Sequence, residues 1–144
     1  MLQLFAILAS ALSGVFMALQ GLFNAKLAEK AGLFRGNFYV HLIALLLAFG
    51  LFIFLPHPVL RTKLAFTDLL GGVLAPAIIL LVAYGIALSG TFKATIAIVA
   101  AQTLTAALLD NFGLLGLEKK PLNWLEIVGA ILIVFGVYLV LRSK

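Results

Sequence analysis

Residues 2 to 22 read LQLFAILASALSGVFMALQGL, without one charged side chain. A helix rises about 1.5 Å per residue, so a stretch of this length crosses a hydrocarbon core about 30 Å thick and brings no charge into it. Nothing basic precedes it and no small-residue cleavage pattern follows it, so it reads as a retained membrane span rather than a secretory leader. Four more apolar stretches of spanning length follow. The second covers about 38–55 and is stopped by Pro56-His57-Pro58, where two backbone donors are missing. The third covers about 69–88 with Pro76 inside it, a kink that neighbouring helices can accommodate in a membrane. The fourth runs from about 94 to 109 after the turn Ser89-Gly90-Thr91, and the fifth from 124 to 141 with Trp124 as an interfacial anchor. The expected fold is therefore an all-α membrane protein, a bundle of about five transmembrane helices forming a single transmembrane domain over residues 1–144.

Composition excludes most other classes. The chain is 65% apolar and 10% charged, with a mean hydropathy of +1.24. A soluble domain is about half apolar and a quarter charged, so the excess here must face lipid or other helices. The net charge of +5 comes from ten scattered Lys and Arg with little aromatic interleaving, which suits anionic headgroups and not nucleic acid. With no cysteine there is no disulfide framework, thiolate metal site or Cys nucleophile. No phosphate-binding glycine loop, His pair at metal spacing, nucleophile elbow or HExxH is present, so neither an enzyme nor a metal or cofactor site is expected.

Five spans put the termini on opposite sides. The N-terminal side carries Arg61, Lys63, Lys119 and Lys120; the other carries Lys26, Lys30, Arg35, Lys93, Arg142 and Lys144. The positive-inside rule then favours a cytoplasmic C-terminus, while so small a bias also allows insertion both ways up and antiparallel pairing into two inverted halves.

Helices in lipid associate by close backbone approach. Ala6, Ser10, Gly14 and Ala18 form a small-residue stripe on the first span; Gly71, Ala75, Ala83 and Ala87 form a broken one on the third. Ala97 and Ala101 form a short one on the fourth, and Gly129 and Gly136 lie on one face of the fifth. Polar groups inside spans are costly and usually face a cavity or a partner. Ser13, Gln20 and Asn24 share a face of the first helix turned away from its stripe, and Thr95, Gln102 and Thr105 share a face of the fourth. Gln102, near the middle of its span, is the best single candidate, a cavity residue or an interhelical hydrogen bond; Gln20 and Asn24, at the end of their helix, are cavity residues or interfacial caps. Tyr84 lines a cavity or belongs to an aromatic belt. Asp110 is a candidate proton or ion-coupling group or a solvated loop acid. Lys93 and His41, near span ends, read as side chains that snorkel to the headgroups.

The segment from Ser13 through Gln20, Asn24 and Lys26 to Leu27 resembles the first-helix signature of the small YdcZ-like bacterial membrane proteins, within the drug/metabolite transporter (DMT) superfamily. The stretch Val99-Ala100-Ala101-Gln102 through Asp110-Asn111-Phe112-Gly113 to Gly116 is similar to that family's second hallmark, followed by Pro121 and Gly129. Residues 128–137 are similar to the last helix of small multidrug-resistance proteins. The resemblance implies a DMT-like half-transporter in the bacterial inner membrane that works as a homodimer or paralogous heterodimer, with Gly129 and Gly136 at the dimer contact. The small multidrug-resistance proteins carry an essential acid in the first helix; this first span has none, so that mode of cation export does not carry over. The expected cavity residues are Gln20, Asn24, Tyr84, Gln102 and Thr105, with Asp110 near the mouth, holding a neutral or zwitterionic small molecule; an anion becomes conceivable if Lys93 turns inward. The alternative is a non-transporting scaffold or accessory subunit whose polar groups serve only as interhelical glue.

Overall fold

A computed structural model describes residues 2–56, 64–114 and 118–143. Sequence expectations that fall on His57, Pro58, Arg61, Lys63, Gly116 and Lys144 lie outside the described residues. The chain is all α, with five helices long and apolar enough to span a membrane and no strand among the described residues. They are α1 (Leu2–Ala31), α2 (Leu33–Phe54), α3 (Leu70–Ser89), α4 (Thr91–Phe112) and α5 (Trp124–Arg142), with a 3-10 turn at Phe66–Leu69 leading into α3. Contacts divide the chain into two units, Met1–Thr91 and Phe92–Lys144.

In the first unit, α1 runs beyond its apolar stretch to Ala31. Alanine, lysine and glutamate in residues 25–31 all favour helix, and nothing stops the chain before Gly32. Gly32 then reverses it. Its N–H donates to the Ala28 carbonyl at 2.9 Å, closing α1, and its own carbonyl accepts from Gly36 N–H at 2.9 Å, opening α2. The φ of +82° that allows both bonds is one that side-chain-bearing residues adopt only at a cost. Gly90, with φ +81°, ends α3 in the same way through a 2.9 Å bond to the Ile86 carbonyl, where the sequence places its turn.

The three helices of this unit pack pairwise. Their seam holds Gly21, Asn24 and Ala25 of α1, Gly36 of α2, and Ala83 and Ile86 of α3, all buried. A Cβ on Gly21 would lie 2.8 Å from Ile86 Cδ1, and one on Gly36 would lie 3.3 Å from the Ala28 backbone nitrogen. The packing signal on α1 therefore lies elsewhere than expected. Ala6, Ser10 and Gly14 are exposed, and Gly14 has no atom within 4 Å of where its Cβ would be. The hydroxyls of Ser10 and Ser13 bond back to the carbonyls of Ala6 and Ser10. The chosen face, 21-24-25-28, combines small residues with the one polar side chain that gains most from being covered.

In the second unit, α5 begins at a reciprocal cap. Asn123 Oδ1 accepts from Glu126 N–H at 2.9 Å, and Glu126 Oε2 accepts from Asn123 N–H at 2.8 Å, satisfying two donors that a helix start leaves open. Trp124 follows, exposed, at the first helical position. The chain preceding α5 is tied to the end of α4: Lys120 N–H donates to the Asp110 carbonyl at 2.8 Å, and Leu122 N–H reaches Asn111 Oδ1 at 3.4 Å. At the opposite ends of these helices Lys93 Nζ donates to the Ser143 carbonyl at 2.7 Å, so Lys93 is bound to the end of α5 rather than extended to headgroups.

Candidate functional site

The first unit holds a cavity of about 580 Å³ between the last turns of α1 and α3. Its polar wall includes Lys26 and Glu29 of α1, Tyr84 of α3 and Thr91; Leu22, Leu33 and Ile86 are part of its apolar wall. The volume falls within the range of small-molecule sites, about 300–1,000 Å³. Lys26 and Glu29 stand three residues apart on one helix face, where side chains are neighbours. Neither forms an ion pair among the described residues, so a cation and an anion are both left free on the wall. Tyr84, 56% exposed, lines the same space.

Asn24 sits one helix face away, 8% exposed, in a closed cleft with Asn37, Gly36 and Ala83. Asn37 of α2 donates from Nδ2 to the Pro76 carbonyl of α3 at 3.1 Å. His41, one turn on, bonds through Nδ1 to the Asn37 carbonyl at 2.9 Å. Its ring thus turns into the helix pair instead of reaching for headgroups, and its Nε2 is buried.

The remaining expected residues are distributed as follows. Gln20, one turn before Asn24, is exposed and outside both cavities. Gln102 and Thr105 are exposed on α4. Asp110 is exposed at the end of α4, its carbonyl bonded to Lys120. Gly129 and Gly136 of α5 have no atom within 4 Å of a built Cβ. The second unit has its own cleft of about 710 Å³ between α4 and α5, walled by Leu104, Leu108, Ile131, Phe135 and Tyr138 among others, and almost wholly apolar. Asn24 and Tyr84 each line a cavity; the expected set is not gathered around one. No group of three His, Asp or Glu side chains placed to hold a metal exists among the described residues.

Sequence reasoning passes over Glu29 and Asn37 and takes Lys26 as a topology charge and part of the first-helix signature, not as a cavity residue. The signal for Asn37 is its place one turn before His41 at the entrance of an apolar helix. For Glu29 it is the absence of any stop before Gly32, which carries the helix, and the acid with it, up to the mouth of the cavity.

Five helices long and apolar enough to span a membrane, nearly bare of buried bulk, define a multi-pass membrane protein. Residues 5–139 match the family described as "Putative inner membrane exporter, YdcZ", and the chain belongs to that family. No curated protein and no solved structure matches it. The family description is that of an exporter, a kind of transporter.

Proposed function

We propose that this chain is half of a secondary exporter, two copies or two paralogous chains moving a small solute by alternating access. The family match supports export. The observation that carries the site is the cavity of about 580 Å³ with Lys26, Glu29 and Tyr84 on its wall. An anion there would meet Glu29 and a cation would meet Lys26, so the solute that suits both is zwitterionic, or neutral with donors and acceptors at one end and an apolar body against Leu22 and Ile86. Gln20, Asn24, Gln102 and Thr105 are proposed as further solute contacts along its path, and Asp110 as an acid at its mouth. Gly129 and Gly136, open on α5, are the proposed close-approach points for the partner chain.

The test compares the extracellular solutes of cells expressing the chain with those of cells lacking it, by mass spectrometry, and follows the enriched solute in Lys26→Gln and Tyr84→Ala variants. Export of a zwitterionic or neutral solute that falls about tenfold in the variants, equivalent to about 1.4 kcal/mol of recognition, is the expected result. A well-inserted chain that changes no solute would leave the scaffold reading in its place. Export untouched by both variants would move the solute site elsewhere.

A further inference from the structure

The cleft of about 710 Å³ between α4 and α5 has a single polar side chain in its lining, Tyr138; the rest of the wall is aliphatic or aromatic, with Leu108 of α4 and Ile131 of α5 on opposite sides. Among the described residues no Cα of α4 comes within 8 Å of a Cα of α5. The two helices are joined at their ends instead, by Lys93 to Ser143 and by Lys120 and Leu122 to the last turn of α4. Along α5 the lining runs from Ile127 to Tyr138, about three turns or about 16 Å, close to half of a hydrocarbon core about 30 Å thick. The cleft thus has the depth of one leaflet and the polarity of its interior.

Its polar end has a charge without a counter-charge. The Tyr138 hydroxyl accepts from Arg142 Nη1 at 2.8 Å, and the guanidinium carbon stands 5.8 Å from the Tyr138 ring centre. The guanidinium is thereby held one turn beyond the cleft with most of its five donors unspent. Lys93, at the same end of the helix pair, spends its described bond on the neutral Ser143 carbonyl. Among the described residues no carboxylate is paired with either cation. An apolar slot that ends at unpaired positive charge suits an amphiphile with an anionic head. A helix of another copy suits it less, because helices in lipid meet where small residues let backbones approach. On α5 those residues are Gly129 and Gly136, and at about 100° per residue they lie on the far side of the helix from Ile127, Ile131 and Tyr138.

We propose that the α4–α5 cleft is a binding site for an anionic phospholipid, one acyl chain lying between Leu108 and Ile131 and the phosphate accepting hydrogen bonds from Arg142. Tyr138 positions the guanidinium, and Lys93 adds a second positive charge at the headgroup end. The bound chain fills the middle of a helix pair that the protein itself ties only at the ends, so the lipid sets the spacing of α4 and α5. The site stands independently of the exporter reading and of the cavity beside Lys26 and Glu29.

The test is native mass spectrometry of the full chain released from detergent with phosphatidylglycerol or phosphatidylcholine of the same acyl chains. The expected result is one phosphatidylglycerol retained per chain, with about a tenfold preference over phosphatidylcholine. Arg142→Gln should abolish the preference and leave retention of phosphatidylcholine as it was, and Arg142→Lys, which keeps the charge without the planar fork, should restore part of it. Leu108→Trp, at an exposed position on the wall, should fill the slot and lower retention of both lipids. Equal retention of the two lipids, or a preference untouched by Arg142→Gln, overturns the site. Should Leu108→Trp fail to fold, phosphatidylglycerol with a photoreactive acyl chain decides the position of the tail in the unaltered chain. Adducts on the facing sides of α4 and α5 support the site; adducts confined to the first three helices overturn it. The chain has no cysteine of its own, so Leu108→Cys gives one clean thiol. A short bis-maleimide that joins two copies through it would put a second chain in the slot and overturn the lipid.

Discussion

The two units of the chain treat their polar groups in opposite ways. In Met1–Thr91 three of them are turned inward: Asn24 is buried at the packed face of α1, Asn37 bridges α2 to α3, and His41 folds back beneath it. In Phe92–Lys144 the cleft between α4 and α5 is apolar, and the described bonds joining the two ends of the unit come from Lys93, Lys120 and Leu122. Hydrogen bonds inside lipid hold helices in a fixed relation, while bonds at the ends leave the middle free to meet lipid or another helix. The first unit thus carries hydrogen bonds between its helices, and the second carries its bonds at helix ends.

The contrast breaks most readily at Gly21. A Cβ there would already overlap Ile86 Cδ1 at 2.8 Å with Val82 Cγ1 at 3.1 Å, so Gly21→Leu should separate α1 from α3 and cost about 3 kcal/mol, at the upper end for overpacking. Loss of the folded species in a detergent thermal-unfolding assay is the expected outcome; unchanged unfolding would mean the seam is not where the first unit is held. Next in size is Gly32→Val. A β-branched residue at φ +82° carries a penalty of about 1–2 kcal/mol, and the bonds to Ala28 and Gly36 depend on that angle. The α1–α2 turn should then become the first site of proteolysis. Asn37→Leu removes one interhelical bond but also one orphan acceptor, so its net cost should be smaller, about 1 kcal/mol.

The five helices are legible in the sequence because lipid imposes a length and an apolar composition that any window average detects. Their packing is less so. The Ala6-Ser10-Gly14-Ala18 stripe and the 21-24-25-28 face both offer small residues. What separates them is that the second can bury Asn24 against Ala83 and Gly36, partners 59 and 12 residues away that periodicity cannot supply. The same holds for Asn37, whose acceptor is the carbonyl of Pro76, 39 residues on. The proline was visible as a kink; that its turn would be held by an amide from another helix was not. Lys26 and Glu29 escaped for a local reason: they look like a charged helix end until α3 closes a cavity beside them.

The smallest effect on the chain itself should come from Gly129→Leu on α5, and here a null result in stability is informative. No atom of the chain lies within 4 Å of the added Cβ, so the unfolding midpoint of the monomer should not move. The substitution nonetheless fills one of the two positions, seven residues apart and so on a common face, where another helix backbone could approach. If α5 meets a partner chain there, Gly129→Leu should lower the dimeric fraction in a crosslinking or single-molecule photobleaching experiment about tenfold, and Gly136→Leu should match it. Ile131→Ala, on the opposite face of the same helix and exposed, serves as the control and should leave the dimeric fraction unchanged. A dimer that survives both glycine substitutions would free α5 from that role and turn attention to the uncovered Ala6-Ser10-Gly14 face of α1. That face keeps its small residues although nothing in its own unit packs against Gly14.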